Sequence, residues 1–423
     1  MKILVISKEA WRDEQNGGNI LSNLFAGLNA EFAQIYCNER EPNNKICRCY
    51  FQITDRGMVN SLLGRGKAGR VVEYEHVPNT QITSNESFSG GRKWLGSYLT
   101  LFRELVWWFG SWNKDEMLKF VKEFNPDIVF APCYGSHYMH KILRQVHGVA
   151  KVPVVSYISD DHYTCRQFRF TPSFWINHMF LRKHTYDIFK HYSLVYTMTD
   201  EQKAQCEKDF GARMKILRKA GSFNPKYEKT HVNHPIRLVY AGGLYLNRWK
   251  TLGKLAEAIR KINMDGVKLQ LDIYSNNPLT KKMQRAINDG ISSTVHSVVS
   301  MEKLMEIYHN SDIALHVEGF DIKNVYTVRM SFSTKIVDCL DSGCAVMAIC
   351  DQQQAGFAYL KRNDSGICVS DCSKLEETLK RLVDDPEIII HYQHKAFELG
   401  RRNHRADETR QMILNDFNEL MEI

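Results

Sequence analysis

The stretch from Ser311 to Cys350, SDIALHVEGFDIKNVYTVRMSFSTKIVDCLDSGCAVMAIC, constrains the fold more than any other part of the chain. Asp312 to Val317 and Cys344 to Ile349 are short apolar runs of the kind that fill buried strands, and the segment opened by Ser333 and Thr334 between them reads as a helix. Strand, loop, helix and strand in that order put a loop and a helix start at the carboxyl edge of a parallel sheet, where α/β folds bind ligands. The residue types at that edge suit a phosphate-bearing sugar. Ser333 and Thr334 offer hydroxyls, the first-turn backbone N–H groups are expected to point outward toward a phosphate, and Lys335 adds a positive charge. Asp338 falls on about the same helical face and is expected to accept from ribose hydroxyls, as Glu318 is from a sugar. Gly343 supplies the left-handed turn that ends the helix.

The same alternation of apolar runs and helical stretches recurs along the chain. At 423 residues the sequence is too long for one ordinary core, so two α/β domains are expected, residues 1–220 and 221–405. The final stretch, 406–423, reads as a helix. A hydrophobic content of 43% with 25% charged residues is that of a soluble globular protein. The opening MKILVISKEAW reads as a strand, too short in its apolar run for a signal peptide, and no window is long and apolar enough to span a membrane. The eleven cysteines are scattered without a CxxC pair or metal-site spacing, as expected of reduced thiols in a cytoplasmic protein, and no metal site is predicted. A net charge of +8 fits a solvated surface, a pyrophosphate-bearing ligand or an anionic membrane surface. Basic runs with interleaved aromatics are missing, which argues against a nucleic-acid partner.

In the first half, Ile3 to Ile6 is a buried strand, followed by a polar loop from Ser7 to Gly18 and a helix with Leu21, Leu24, Phe25, Leu28 and Phe32 on its stripe. Gly17 and Gly18 would either let the backbone approach a ligand or simply form a tight turn. A literal GxGxxG at Gly64, Gly66 and Gly69 lacks a convincing strand before it, and its basic neighbours suggest an exposed loop, so dinucleotide binding is not expected. Trp94 to Trp112 is the most aromatic stretch. It suits either a packed core helix or a membrane-interface contact with Trp107, Trp108 and Trp112 at headgroup level. Asp127 to Ala131 and Val152 to Ile158 read as strands joined by a helix around His137 to His147. After the second come Asp160, Asp161 and His162, which would orient an acceptor hydroxyl or share its proton, unless the Asp is an ordinary cap.

In the second half, Ser222 to Pro235 reads as a linker, and Ile236 to Tyr240 as a strand leading through Gly242 and Gly243 into a helix. Leu269 to Tyr274 and Val295 to Val299 are further strands.

The string STKIVDCLDSGCAVMA, with VEGF upstream, resembles the donor-site helix of GT-B glycosyltransferases of the retaining family 4 type. That pattern normally carries two regularly spaced glutamates, whereas here Glu318 and Asp338 are separated by an insertion and the second is Asp. The resemblance implies two Rossmann-like parallel-sheet domains facing each other across a cleft, and transfer of a sugar from a nucleotide-sugar, with retention, to a hydroxyl of a surface polysaccharide or glycolipid. It implies no metal and no cofactor beyond the nucleotide-sugar. Arg248 and Lys250 would hold the donor diphosphate, while Tyr274, Ser275 and the Ser300–Met301 loop would border the nucleobase. It also places Gly17 and Gly18 toward the donor, and Asp160, Asp161, His162 and Glu318 near the reacting sugar. A lipid-linked acceptor would put the protein at the inner face of a membrane, through Trp94 to Trp112. The alternatives are a sugar-nucleotide epimerase on the same fold and a nucleotide-sugar binding protein without catalysis.

Overall fold

A computed structural model describes residues 1–13, 16–73 and 96–422. The chain divides into two compact units, Met1–Leu217 with Thr409–Ile423, and Arg218–Glu408.

The first unit is built on an eight-stranded sheet: β1 (Lys2–Ser7), β2 (Glu31–Tyr36), β3 (Cys49–Gln52), β4 (Arg70–Glu73), β5 (Ile128–Phe130), β6 (Val154–Ile158), β7 (Leu194–Thr197) and β8 (Met214–Ile216). Their spatial order is β4-β3-β2-β1-β5-β6-β7-β8, and β3 pairs antiparallel only with β4. The other pairings are parallel, so helices cover both faces and the central strands are apolar throughout; Ile3, Leu4 and Val5 are wholly buried. β2 and β3 were not expected from the sequence, which extended the first helix to Phe32. The helix Asn16–Phe25 instead stops short, and Phe32 begins the buried run of β2. Gln34 disguises that strand. Its side chain is fully buried, accepting from the Trp11 N–H at 3.0 Å and donating to Ser7 Oγ at 2.6 Å. Gly17 and Gly18 are likewise corrected, lying in the first turn of that helix and not in a loop.

Trp94 falls outside the described residues; the rest of the aromatic stretch forms the helix Gly96–Phe109. Trp107 and Trp112 are core residues, contrary to a headgroup position, whereas Trp108 is exposed. Trp107 donates to Asp55 Oδ1 at 2.6 Å and stacks on Tyr138 at 4.1 Å. Gly64, Gly66 and Gly69 all have positive φ beyond the helix Asp55–Leu62, a turn without the strand a dinucleotide fingerprint needs. The final helix, Ala406–Met421, packs into this unit through Asp416, which accepts from Tyr196 Oη at 2.6 Å and pairs with Lys215.

The second unit holds a six-stranded parallel sheet of β9 (Ile236–Ala241), β10 (Leu269–Tyr274), β11 (Ser293–His296), β12 (Ile313–Val317), β13 (Ala345–Ile349) and β14 (Ile367–Val369). The order β11-β10-β9-β12-β13-β14 means that the chain steps outward from β9 in one direction, then returns to β12 and steps outward in the other. The crevice at the carboxyl ends of β9 and β12 is therefore a topological switch point. The segment read as a linker is anchored to this unit: the Ser222 and Phe223 N–H groups donate to Asp341, and Asn233 donates to Asp312.

Buried imidazoles tie the stability of both units to pH. His140, in the helix His137–Ala150, is 2% exposed with neither ring nitrogen hydrogen-bonded, and burial pushes its pKa down to about 3. His404, whose Nδ1–H donates to the Lys219 carbonyl at 3.2 Å and whose Nε2 accepts from Tyr359 Oη at 2.8 Å, is pushed down to about 3 by burial and then by the charge of Arg218. Such groups fold neutral but protonate near pH 6.5 when unfolded, so their contribution is complete above that pH and is lost as pH falls toward 3. Denaturant unfolding at pH 7 and pH 5 is expected to show a fall in stability. For His140→Phe the fall should shrink by about 2 kcal/mol, from 1.4 kcal/mol per pH unit below the unfolded pKa. An unchanged fall would mean that His140 is hydrated in solution.

Candidate functional site

At the switch point of the second unit, Tyr240 ends the buried run of β9 and the chain turns through Gly242 and Gly243 into the helix Arg248–Ile262. The turn is strained. Leu246 and Asn247 take φ of 55° and 60°, left-handed values that non-glycine residues adopt only when their surroundings hold them there. Here the β12 loop supplies the restraint: Asn324 Nδ2 donates to the Leu246 carbonyl at 2.6 Å, and Asn247 Nδ2 donates to Asp321 Oδ2 at 2.8 Å. From the other side, the Leu244 N–H donates to Asn277 Oδ1 at 2.7 Å and the Gly242 N–H to the Tyr274 carbonyl at 2.9 Å. Gly319 must lack a Cβ because one would collide with the Leu246 carbonyl.

This clamp delivers Arg248 into the crevice. Its Nε and Nη2 donate to Glu318 Oε2 and Oε1 at 2.8 and 2.7 Å, a planar two-point pair in which Glu318 is 6% exposed. Glu318 was expected to meet a sugar; both its oxygens are instead taken by the guanidinium, and Thr251 Oγ1 donates to its backbone carbonyl at 2.8 Å. Arg248 Nη1 is buried and has no hydrogen-bond partner among the described residues. Lys335 comes in from the opposite flank at the start of the helix Lys335–Asp341, 5.8 Å from the Tyr240 ring centre. Its ammonium packs so closely over Gly242 that any side chain there would displace it. Burial, then the charge of Arg248, lowers the Lys335 pKa, and no carboxylate lies within ion-pair distance among the described residues. Two cations with donors unused, over a glycine backbone, form an anion site.

His316, two residues before Glu318 on β12, adds a neutral imidazole, pushed down to about 4 by burial against the opposing influence of Glu318. The sequence reading passed over it, and over Tyr240, because each looks like one more residue of a core strand. Their role depends on which end of which strand they occupy.

The other predicted residues divide. Lys250 does not join Arg248: two positions apart on a helix is opposite faces, and Lys250 is exposed beside the Trp249 ring. Asp338 is held in an ion pair with Lys219, so it does not offer a free carboxylate to a ribose. Burial is the main cause of its raised pKa. Ser333 and Thr334 precede the helix with their hydroxyls unbonded among the described residues, but the Ile336 and Val337 N–H groups already donate to the Ser333 and Thr334 carbonyls. A tight opening turn thus consumes two of the amides expected to face a phosphate. Tyr274 stacks on His296 at 4.7 Å, with the His296 ring held by Asp272 at 2.6 Å, and Ser275 Oγ is buried against Asn277 at 3.2 Å. These two sit beside the crevice and present a flat aromatic surface.

In the first unit, Asp160, Asp161 and His162 follow β6 at its carboxyl end. Asp161 shapes the turn, accepting from the Thr164 N–H at 3.0 Å and from Thr164 Oγ1 at 2.5 Å. Asp160 accepts from Ser159 Oγ at 3.1 Å. His162 packs against Gly135, and burial lowers its pKa.

No protein-family model and no curated protein matches the sequence. Solved structures match the whole chain in fold. Sucrose-phosphate synthase from Thermosynechococcus elongatus aligns over 100% of this chain and 99% of its own, with a TM-score of 0.64 at 11% identity. HepE from Anabaena in complex with UDP aligns over 99% and 100%, with a TM-score of 0.64 at 11% identity. A trehalose-6-phosphate structure from E. coli bound with UDP-2-fluoro glucose aligns over 100% and 99%, with a TM-score of 0.59 at 12% identity. The fold is the α/β GT-B type shared by these proteins, as the sequence resemblance implied.

Proposed function

We propose that the protein is a glycosyltransferase that binds a nucleotide-sugar and transfers the sugar, with retention, to a hydroxyl of a saccharide or glycolipid acceptor. The observation that carries this reading is that Arg248 Nη1, the guanidinium nitrogen its pair with Glu318 leaves unused, and the unpaired ammonium of Lys335 lie at the switch point of a fold whose solved neighbours include structures with UDP and a UDP-sugar bound. Departure of a nucleoside diphosphate leaves negative charge on its phosphates, and two fixed cations in a buried site stabilise that charge without reorganising. Glu318 then acts as a positioning residue that holds the guanidinium in place. The Tyr274–His296 stack offers a nucleobase a platform, while Asp160, Asp161 and His162 are the candidates for orienting the acceptor hydroxyl. Charge neutralisation by arginine and lysine supports transfer without a divalent metal.

Calorimetric titration with UDP, GDP, ADP and CMP tests the first step. One nucleoside diphosphate is expected to bind, with turnover of its sugar conjugate unchanged by a chelator and the product retaining the donor's anomeric configuration. Binding without turnover would identify a non-catalytic nucleotide-sugar protein, and nucleotide release with an isomerised free sugar would identify an epimerase. If none of the four binds, the reading falls.

A further inference from the structure

The helix Gly96–Phe109 is apolar on both sides: Val106 and Trp107 are buried in the core, and its outward side is apolar as well. Its two charged residues turn inward: Arg103 donates to Asp55 Oδ1 at 2.9 Å, and Glu104 is buried, accepting from the His137 N–H at 3.2 Å. Outward it presents Leu99, Phe102, Leu105, Trp108 and Phe109, with Phe102 62%, Trp108 61% and Phe109 70% exposed. The neighbouring helix Pro172–Phe189 repeats the anomaly with Ile176, Met179 and Phe180 exposed. Trp108 meets His184, one turn beyond Phe180, ring to ring at 6.4 Å, so the apolar surfaces of the two helices meet there. Apolar faces of this kind on a folded chain mark contact sites.

Beside this face lies a cavity of about 380 Å³, and Trp108 belongs to both. Its wall carries His137, Lys141 and Arg144 from successive turns of one helix face, together with His184 and Tyr138. Neither Lys141 nor Arg144 has a carboxylate within ion-pair distance among the described residues. The Tyr138 hydroxyl, on a side chain 2% exposed, has no hydrogen-bond partner, and neither do the Nδ1 atoms of His137 and His184. The one acid on the wall, Glu104, is raised to about 7 by burial, which disfavours its negative charge there. The cavity thus has a surplus of positive charge from Lys141 and Arg144, next to a face that has only apolar groups to offer.

We infer that the cavity and the apolar face form one site for an amphiphile with an anionic head: a phosphate-bearing lipid in a membrane surface, its phosphate between Lys141 and Arg144, its chains against Phe102, Phe109 and Phe180. Charge complementarity selects the head, and the continuity of the apolar face with the cavity through Trp108 selects a lipid over a free anion. Exposed aromatic side chains beside a basic pocket match the depth profile of a membrane interface. The inference deepens the glycosyl-transfer reading, since it names a lipid phosphate as the anchor of the acceptor. Its test reads binding alone, so it fails independently of the nucleotide titration.

The full chain is sedimented with vesicles of phosphatidylcholine alone and of phosphatidylcholine doped with phosphatidic acid. It is expected to follow the doped vesicles. Phe102→Ser with Phe109→Ser should abolish sedimentation, and thermal unfolding should show the variant folded, because both positions are exposed. Lys141→Gln with Arg144→Gln should weaken binding to doped vesicles about thirtyfold, at roughly tenfold per 1.4 kcal/mol and the usual value of a basic residue near an anionic surface. Wild-type protein remaining in the supernatant with both vesicle types, or the Phe variant sedimenting unchanged, overturns the inference. So does binding of inorganic phosphate at Lys141 and Arg144 without any vesicle association, which would assign the cavity to a free anion. A dimer that the Phe substitutions dissociate would assign the face to a second copy of the chain. That result removes the lipid.

Discussion

Arg248→Met is expected to lower stability by about 3–5 kcal/mol, and Arg248→Met combined with Glu318→Leu to recover most of it, while neither variant binds a nucleoside diphosphate at better than about a hundredth of wild-type affinity. The asymmetry follows from burial. Removing the guanidinium leaves Glu318, 6% exposed, as a carboxylate with no counter-charge, and that isolated charge is the source of the loss. Replacing both partners by apolar side chains of similar volume removes the charge along with the pair, so the core term is restored. Phosphate binding is not restored, because it depends on Arg248 Nη1, the guanidinium nitrogen that the pair leaves unused. Denaturant unfolding gives the stability term and calorimetry the affinity. A double variant that binds normally would show that Arg248 is purely structural, and a double variant as unstable as the single one would show that the pair is not the origin of the loss. Lys250→Ala is the control. Exposed beside Trp249, it should leave affinity within a few-fold of wild type, contrary to the expectation drawn from its position in sequence.

Lys250 illustrates what the sequence could and could not say about this site. A glycine turn after a strand, then a helix start, is a local signal that placed the segment, and the family resemblance singled out Arg248 and Lys250 within it. Which of two nearby cations faces the crevice is a matter of helical phase relative to β12, and the strand that sets that phase lies far along the chain. Lys335 was legible as a helix start after an apolar run, yet its closeness to Gly242 was not, since the topology that puts β12 beside β9 reverses the order of strands. The glutamate at 318 was read for the hydroxyls it might accept from; its partner is a residue on another loop, and only the tertiary structure shows both oxygens taken. Asp338 was lost to Lys219 for the same reason. Where patterning is local and strong, as in β1, β6, β9, β12 and β13, the strands agree to within a few residues. β2 was missed because Gln34 breaks its apolar run, and that glutamine is buried only because Ser7 and the Trp11 backbone satisfy its amide. The helix Gly96–Phe109 defeats pattern reading differently: its composition suits a core helix, and only the ion pair of Arg103 with Asp55 reveals which side is in.

Lys335→Met should do the reverse of Arg248→Met, raising stability while cutting nucleoside diphosphate affinity by about ten- to a hundredfold, the value of a hydrogen bond to a charged group. Burial and the nearby charge of Arg248 both lower the Lys335 pKa, so the folded protein bears a cost for keeping it protonated at neutral pH. A lysine whose folded pKa lies below the unfolded one contributes most favourably when neutral, above the ordinary value of 10.5, and that contribution is lost as pH falls through the lowered pKa. Methionine keeps the volume and removes the cost. A diphosphate reverses the balance by supplying the missing counter-charge, which means that its binding should favour the protonated lysine and weaken as pH rises, starting below the range in which a solvent-exposed lysine titrates. Calorimetry across that alkaline range on wild type and Lys335→Met separates this from titration of the ligand: the wild-type affinity should decline, and the variant should start low and stay flat. Parallel decline in both proteins would place the titrating group elsewhere. A Lys335→Met protein less stable than wild type would mean that the ammonium already has a counter-ion in solution, and the anion site would lose one of its two cations.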